Sequence, residues 1–303
     1  MTPQAVDFGA APRLALRHRL AERGVDRVLL LVVPGILAVI ALFLYPFLYG
    51  LGLSFQPTNG GGAFASYRAF FSDPFARGSI GKTFALAIPS SLINVGLSVP
   101  ISYRMRSDFR GKRLLLTLLV VPITLGTVLT AEGILEYFGP VGWFNSTLQW
   151  IGITDKPLTL TGNYTAVLFS LIISGFPFAF LLTHSYLSGI HPSLEKAAAT
   201  LGADWWQRFR HVTFPLLLPG LMTTFCLTFV LGFSVFPSAM MVGDPDGKTH
   251  VISIEAYEQA LQKFDYSQGC AIAMIMTVLM FVVIGLVMTA RSLLYTGSTG
   301  GKG

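Results

Sequence analysis

The sequence has little cysteine, little charge and nothing that resembles a catalytic centre. Only two of its 303 residues are cysteine, Cys226 and Cys270, and both fall inside long apolar runs. That placement argues against a disulfide framework or a thiolate metal site. The five histidines are scattered along the chain, and no group of His, Glu and Cys has metal-ligand spacing. These absences argue against an enzyme and predict no catalytic residue, no metal site and no cofactor in this chain.

Apolar residues dominate what is present. Hydrophobic residues make up 52% of the chain and charged residues 12%, a balance that a soluble protein of this length would struggle to keep in solution. Runs of about 20 apolar residues, enough to cross a hydrocarbon core about 30 Å thick, recur along the chain. They cover approximately residues 28–54, 83–103, 114–138, 164–187, 216–242 and 267–291. Because an extended segment in lipid would leave backbone groups unpaired, we predict an all-α integral membrane protein with six transmembrane helices.

The net charge of +6 is concentrated in short clusters beside the apolar runs. Five arginines lie in the tail of residues 1–27, and further Lys and Arg follow the second and fourth predicted spans. The positive-inside rule therefore places both termini in the cytoplasm. Binding to nucleic acid is the weaker interpretation, because these clusters do not form a basic groove or folded face.

The fourth connection, residues 191–219, is polar and typical of two short helices separated by a glycine turn. Glu195 falls in the first turn of the first helix, where the helix dipole favours a carboxylate, and Gly202 suits a left-handed stop. Asp204 and Gln207 have the spacing of a capping box at the start of the second helix. We expect Pro215 and Pro219 to end that helix.

This connection resembles the cytoplasmic loop of the membrane subunits of binding-protein-dependent ABC importers. The family pattern is Glu-Ala-Ala, three residues, Gly, nine residues, Ile, one residue, Leu-Pro. The chain departs from it at Lys196, Val212 and Phe214, although Glu195 supplies a carboxylate one place earlier. The resemblance implies an ATPase-coupling loop over residues 189–215. Its residues are Glu195, Lys196, Ala197, Ala198, Gly202, Ala203, Val212 and Pro215.

The resemblance extends from about residue 79 to 291 and implies the type I importer permease fold. Within the family the chain looks most like the spermidine/putrescine-type branch, including the stretch 256–276. It implies a basic cytoplasmic tail at 1–27, a transmembrane permease domain at 28–295 and a short cytoplasmic tail at 296–303, all in a bacterial inner membrane.

The partners implied are two copies of a cytoplasmic ABC ATPase that binds ATP and Mg, a second permease subunit, and an extracytoplasmic solute-binding protein. By the same analogy, the helix before Gly202 would enter a groove on the ATPase. A face formed by Trp205, Phe209 and Val212 would pack against the adjoining spans. A relaxed phosphate-loop pattern at residues 76–83 lies next to a predicted span on the side without ATP, so we do not interpret it as a nucleotide site.

Polar residues inside the predicted spans are candidates for the solute pathway. Glu132 and Glu136 are four residues apart and share a face near the outer end of the third span. They either meet water at the interface or line a cavity that attracts a cation such as a polyamine. Asn94, Ser174 and Ser234 lie within the second, fourth and fifth spans, either as helix-packing groups or as solute contacts.

Two other classes of function compete with the importer interpretation. A secondary transporter or channel subunit driven by an ion gradient predicts ionisable pairs within spans and an internal repeat of the hydropathy pattern, and neither stands out here. A membrane anchor without a pathway would not need a glycine-hinged loop at the fourth connection. We therefore predict a permease that carries a small polar solute.

Overall fold

The computed structural model describes residues 27–58 and 60–294, and every regular element in these ranges is helical. The terminal tails predicted at 1–27 and 296–303 lie outside the described residues, apart from Arg27. Within the described ranges, six helical stretches are long and apolar enough to cross a membrane. The predicted all-α architecture with six candidate spans is confirmed.

The first of two compact units ends at Gly52. It contains helix α1 (Arg27–Val39) and most of helix α2 (Tyr45–Ser54), which a π-helical turn at Ile40–Leu44 connects. The first candidate span runs through these elements from Val32 to Ser54.

The second unit begins at Leu53 and holds the remaining spans. Its helices are α3 (Ala65–Ser72), α4 (Pro74–Met105), α5 (Lys112–Phe138), α6 (Trp143–Trp150), α7 (Tyr164–Ser188), α8 (Pro192–Thr200), α9 (Trp205–Arg208), α10 (Phe214–Phe233), α11 (Pro237–Met241), α12 (Ile252–Tyr257) and α13 (Tyr266–Leu294). A π-helical turn at Phe209–Thr213 joins α9 to α10, and another at Glu258–Gln262 extends α12. The spans of this unit are α4, α5 with α6, α7, α9 with α10, and α13.

Several predicted boundaries are wrong. The second span starts at Pro74 rather than residue 83, because the Asp73 side chain caps the helix by accepting from the Phe75 N–H at 2.8 Å. The fifth span runs from 205 to 233 rather than from 216 to 242. Pro215 and Pro219 do not end the second helix of the insert. Pro215 falls in the first turn of α10, after a π-helical turn in which the Phe214 N–H already bonds five residues back, and Pro219 lies inside α10.

Helix α4 is the centre of the second unit, since it packs against both α7 and α10. Its two ends meet different structures. The Pro74 end contacts α3 and α12, and the Met105 end contacts α8 and the π-helical turn that follows α9 through Tyr103. We refer to these as the Pro74 end and the Met105 end.

Candidate coupling segment and solute cavity

Glu195 is the structural centre of the insert at the Met105 end. Its Oε1 accepts hydrogen bonds from Arg106 Nη1 at 2.5 Å and Thr213 Oγ1 at 2.6 Å. Its Oε2 accepts from the Tyr103 hydroxyl at 3.2 Å. Arg106 also donates through Nη2 to the Ile190 carbonyl at 2.7 Å. The first turn of α8 is thus tied both to α4 and to the start of α10, and the Glu195 carboxylate faces its own chain.

The Glu195–Arg106 pair is largely shielded from solvent, with each side chain 17% exposed. Burial alone would raise the pKa of Glu195. The hydrogen bond from Thr213 and the positive charge of Arg106 outweigh that effect and hold the pKa below its ordinary value. Glu195 is therefore ionised at neutral pH, and the pair is a charge-assisted contact.

The local signals in the insert form the predicted turn. Gly202 has a φ of 86°, the left-handed region that a residue with a Cβ adopts only at a cost. The Ala203 N–H closes the end of α8 by donating to the Ala198 carbonyl at 3.1 Å. The predicted capping box is present, with Gln207 N donating to Asp204 Oδ1 at 2.7 Å and Asp204 N to Gln207 Oε1 at 3.0 Å.

Aromatic packing fixes the second helix of the insert. The rings of Trp205 and Phe209 meet the Tyr103 ring of α4 edge to face, with centroids 5.9 and 5.5 Å apart. The expected packing of this face on an adjoining span is thus present at both rings, and Val212 is half-buried beside them. The insert is a braced element rather than a loose loop.

One face of α8 and the turn after it remains open. Lys196, Ala197, Thr200 and Leu201 are all exposed, and Leu201 keeps 89% of its surface. Their spacing of one, four and five residues places them on one side of the helix. The other predicted coupling residues differ in burial: Gly202 and Pro215 are exposed, while Ala198 and Ala203 are half-buried.

Three of the predicted pathway residues meet around one cavity. Asn94 of α4, Ser174 of α7 and Ser234 after α10 line a space of about 230 Å³. Ser90 and Thr228, which the sequence did not single out, also line it. Ser90 lies one helical turn before Asn94, and this spacing could have identified it.

Breaks in two helices open this cavity. Helix α10 stops at Phe233 and α11 begins at Pro237, so Ser234 lies in irregular backbone. Helix α5 bends at Gly126, next to Thr127 on the cavity wall. Non-helical backbone at membrane depth is tolerated where it lines a cavity.

Glu132 and Glu136 lie elsewhere. Both are exposed on α5, and neither is among the described residues that line this cavity. The five predicted pathway residues therefore divide into a cavity group of three and an exposed acidic pair.

The Pro74 end contains a charged cluster that the sequence did not reveal. His250 Nε2 lies 2.8 Å from Glu255 Oε2, and Nδ1 lies 2.7 Å from the Pro245 carbonyl oxygen. Glu258 completes a group whose ligand-type atoms lie within 4.8 Å of one another. Because both ring nitrogens face acceptors, the geometry fits a doubly protonated imidazolium better than a metal ligand. His250 precedes the helix that carries its partners, so no helical spacing linked them.

The pKa values of this cluster agree with an ion pair. Burial would lower the pKa of His250, but the hydrogen bonds to Glu255 and to the Pro245 carbonyl and the negative charges of Glu258 and Glu255 together outweigh it, and the pKa is raised. The same bond holds the pKa of Glu255 below its ordinary value, against the effect of burial. The His250 and Glu255 side chains are only 1% and 4% exposed.

Together, six apolar helical spans and a braced polar insert, which follows the fourth span and leads into the fifth, define a multi-pass helical membrane protein. Residues 90–291 match the family of binding-protein-dependent transport system inner membrane components. The chain belongs to that family. It is the permease subunit of an ABC importer, a transport component of the inner membrane, and ATP hydrolysis belongs to a separate subunit.

Curated relatives differ in the solutes for which they are named. A probable sulfate transport system permease of Prototheca wickerhamii is 28% identical over 221 residues, covering 73% of this chain and 85% of the relative. A spermidine/putrescine transport system permease of Haemophilus influenzae is 26% identical over 263 residues, covering 84% and 91%. The predicted polyamine branch is therefore one of several similar groups.

The fold matches a solved importer. A chain of a bacterial alginate ABC transporter, in complex with an alginate-bound periplasmic protein, superposes with a TM-score of 0.75 at 20% identity. The match covers 93% of this chain and 99% of the other. It confirms the predicted type I permease fold.

Proposed function

We propose that residues 189–215 couple this permease to a separate ATPase, and that the cavity beside Asn94 belongs to the solute pathway. The observation that carries the proposal is the open face of α8 at Lys196, Ala197, Thr200 and Leu201. A helix that is fixed to its own chain on one side and open on the other can dock a partner and pass on a displacement.

The path of that displacement is short. Glu195 joins α8 to Arg106, and Arg106 follows directly after α4, which also carries Asn94. Twelve residues of helix separate Arg106 from Asn94, or about 18 Å at 1.5 Å per residue. A push on α8 would therefore reach the cavity through one continuous helix.

The partners we propose are two copies of an ABC ATPase that binds ATP and Mg, a second permease subunit, and an extracytoplasmic binding protein. The family description names a binding-protein-dependent system, and the alginate transporter was solved with a periplasmic protein. We further propose that both termini and the Met105 end face the cytoplasm, on the charge distribution described above.

For the solute we propose a small polar molecule, with a polyamine as the specific candidate. The spermidine/putrescine relative supports this choice, and the exposed Glu132 and Glu136 would attract a cation. The sulfate relatives are of similar identity, so relatedness alone does not select the solute.

The docking face can be tested by affinity purification of the tagged chain from its native membrane. Leu201→Asp places a charge in the open face and should abolish co-purification of the ABC ATPase. Leu261→Asp is the matched control, since Leu261 is another exposed leucine, 53% exposed, near the Pro74 end. Retention of the ATPase by the Leu201 variant, or absence of an ATPase from the wild-type sample, would contradict the proposal.

A further inference from the structure

We infer that the cavity beside Asn94 binds the N–H or O–H donor groups of the solute, and so selects an ammonium- or hydroxyl-bearing molecule against an oxyanion that can only accept. The inference rests on the proposed role of this cavity in the solute pathway. It concerns the chemistry of the solute and does not affect the docking of the ATPase.

Asn94 presents a fixed acceptor. Its side chain is buried, with 2% exposure, and Nδ2 donates to the Leu171 carbonyl of α7 at 3.3 Å. Oδ1 is buried without a hydrogen-bond partner. Rotation of the amide by 180° would set two acceptor oxygens against each other, so the bond to Leu171 fixes Oδ1 as the atom left unpaired.

The backbone of α7 is shaped around this amide. A Cβ at Gly175 would lie 2.5 Å from Asn94 Nδ2, so only glycine allows the approach that makes the bond to Leu171. A donor on a bound solute would recover the free energy that the unsatisfied buried acceptor costs.

Several hydroxyl groups around the cavity already donate their hydrogens to backbone carbonyls. The bonds run from Ser90 to the Ala87 carbonyl at 3.1 Å, from Ser174 to that of Ser170 at 2.8 Å, and from Thr228 to that of Thr224 at 3.0 Å. Each of these oxygens therefore offers lone pairs rather than a hydrogen to the cavity. Ser238 differs, because it accepts from Ser170 at 2.8 Å and keeps its own hydrogen.

Charge and size complete the selection. Of the described residues that line the cavity, none carries a charge. A buried oxyanion would have no cation to offset its desolvation and would meet the negative end of the Asn94 dipole. The cavity volume of about 230 Å³ lies below the range of pockets that hold a whole drug-sized ligand. It suits one polar end of a solute.

The test measures protection of a reporter cysteine in the purified full-length chain in lipid nanodiscs. Ser174→Cys is introduced after Cys226 and Cys270 are replaced by alanine, and alkylation by N-ethylmaleimide is timed with spermidine, sorbitol or sodium sulfate at matched ionic strength. Spermidine and sorbitol should slow alkylation in a saturable way, and sulfate should act no differently from sodium chloride.

Variants assign the effect to Asn94. Asn94→Leu keeps the approximate size but removes the acceptor, and should raise the half-protecting concentration about tenfold, as expected for one buried hydrogen bond. Ser91→Ala is the matched control, because Ser91 is buried on the same helix, bonds to the Ala87 carbonyl at 2.6 Å and lies outside the cavity lining. Asn94→Asp distinguishes ammonium donors from hydroxyl donors. The added negative charge should strengthen protection by spermidine and should not strengthen protection by sorbitol.

Three results would overturn the inference: protection by sulfate equal to that by the donor probes, no protection by either donor probe, or full protection in Asn94→Leu. None of them bears on whether Leu201→Asp releases the ATPase. A failure here therefore leaves the coupling proposal standing and is distinguishable from its failure.

Discussion

An ion pair lies at each end of α4, but the two ends differ in how deeply the surrounding residues are buried. At each end a carboxylate near a short helix pairs with a cation: Glu255 with His250 at the Pro74 end, and Glu195 with Arg106 at the Met105 end. At the Pro74 end the pair is sealed inside the protein. At the Met105 end none of the nine residues of α8, all within the described part of the chain, is buried.

The two ends therefore differ in how much apolar packing supports them. Ile252 and Ile254 of α12 are fully buried, and each contributes about 1.5–3 kcal/mol of burial free energy. The Ile252 N–H also bonds Thr83 Oγ1 of α4 at 2.9 Å. Helix α8 lacks such packing and relies on Glu195, so loss of one side chain should matter far more at the Met105 end.

The largest effect is expected for Glu195→Arg. The substitution places a second guanidinium next to Arg106, so the ion pair becomes a repulsion. It also removes the carboxylate that accepts hydrogen bonds from Tyr103 and Thr213. The chain should still reach the membrane, while solute-dependent stimulation of ATP hydrolysis in the assembled importer should fall by about tenfold or more, the range for a broken, partly buried pair. ATPase assays in proteoliposomes measure this.

The charge swap is the control for that variant. Arg106→Glu combined with Glu195→Arg restores opposite charges and should recover part of the stimulation. Unchanged coupling in Glu195→Arg alone would show that α8 is held by something other than this pair, and the contrast between the two ends would be lost.

Local sequence signals made the structure at the Met105 end predictable. The structure at the Pro74 end could not be predicted in this way. Gly202 and the Asp204 capping box act within a few residues of themselves, so the sequence alone revealed them. The His250 pair joins a loop to a later helix, and only tertiary packing brings its members together. The end of α10 at Phe233 was also missed, because the apolar run continues to residue 242, beyond the end of the helix.

The cavity group was visible because polar residues in an otherwise apolar span stand out. Asn94, Ser174 and Ser234 each did so, and the structure brings them together. Their sequence positions could not show that Asn94 Oδ1 stays unpaired, since that depends on the Leu171 carbonyl of another helix. The partner of Glu195 was hidden in the same way.

A medium effect is expected from pH, and it should separate the two ends. The pKa of His250 is raised, so its contribution is complete below the ordinary value near 6.5 and is lost as pH rises through the raised value. The pKa values of Glu195 and Glu255 are lowered, so their contributions hold above the ordinary value near 4.5 and are lost as pH falls through the lowered values. Alkali should loosen only the Pro74 end, and acid should loosen both.

Hydrogen exchange, corrected for the intrinsic pH dependence of amide exchange, measures this. Protection in α12 should fall on the alkaline side while protection in α8 stays constant. His250→Gln retains a hydrogen-bonding side chain without the titration, so its α12 should lose the alkaline transition. An equal loss of protection in α12 and α8 at alkaline pH would show that the two ends do not differ in pH dependence as the titration of His250 predicts.

The smallest effect is expected for Glu132 and Glu136, which test whether solute handling is confined to the cavity. Both carboxylates are exposed on α5, apart from Asn94, so any attraction for a cation acts through water. Glu132→Gln with Glu136→Gln preserves size and most hydrogen bonding while removing both charges. Spermidine uptake by the reconstituted importer should fall at least twofold but no more than about fivefold, the factor for ~1 kcal/mol at an exposed site.

Asp155→Asn, a change at another exposed acid, should leave uptake unchanged. The fall should shrink at high salt, because screening weakens exposed charges first. Wild-type rates in the double variant, or a cognate binding protein selective for a neutral sugar, would assign these glutamates to the membrane interface and leave the cavity as the place where the solute is recognised. A binding protein selective for an anion would contradict both the attraction of a cation by these glutamates and the donor selection inferred for the cavity.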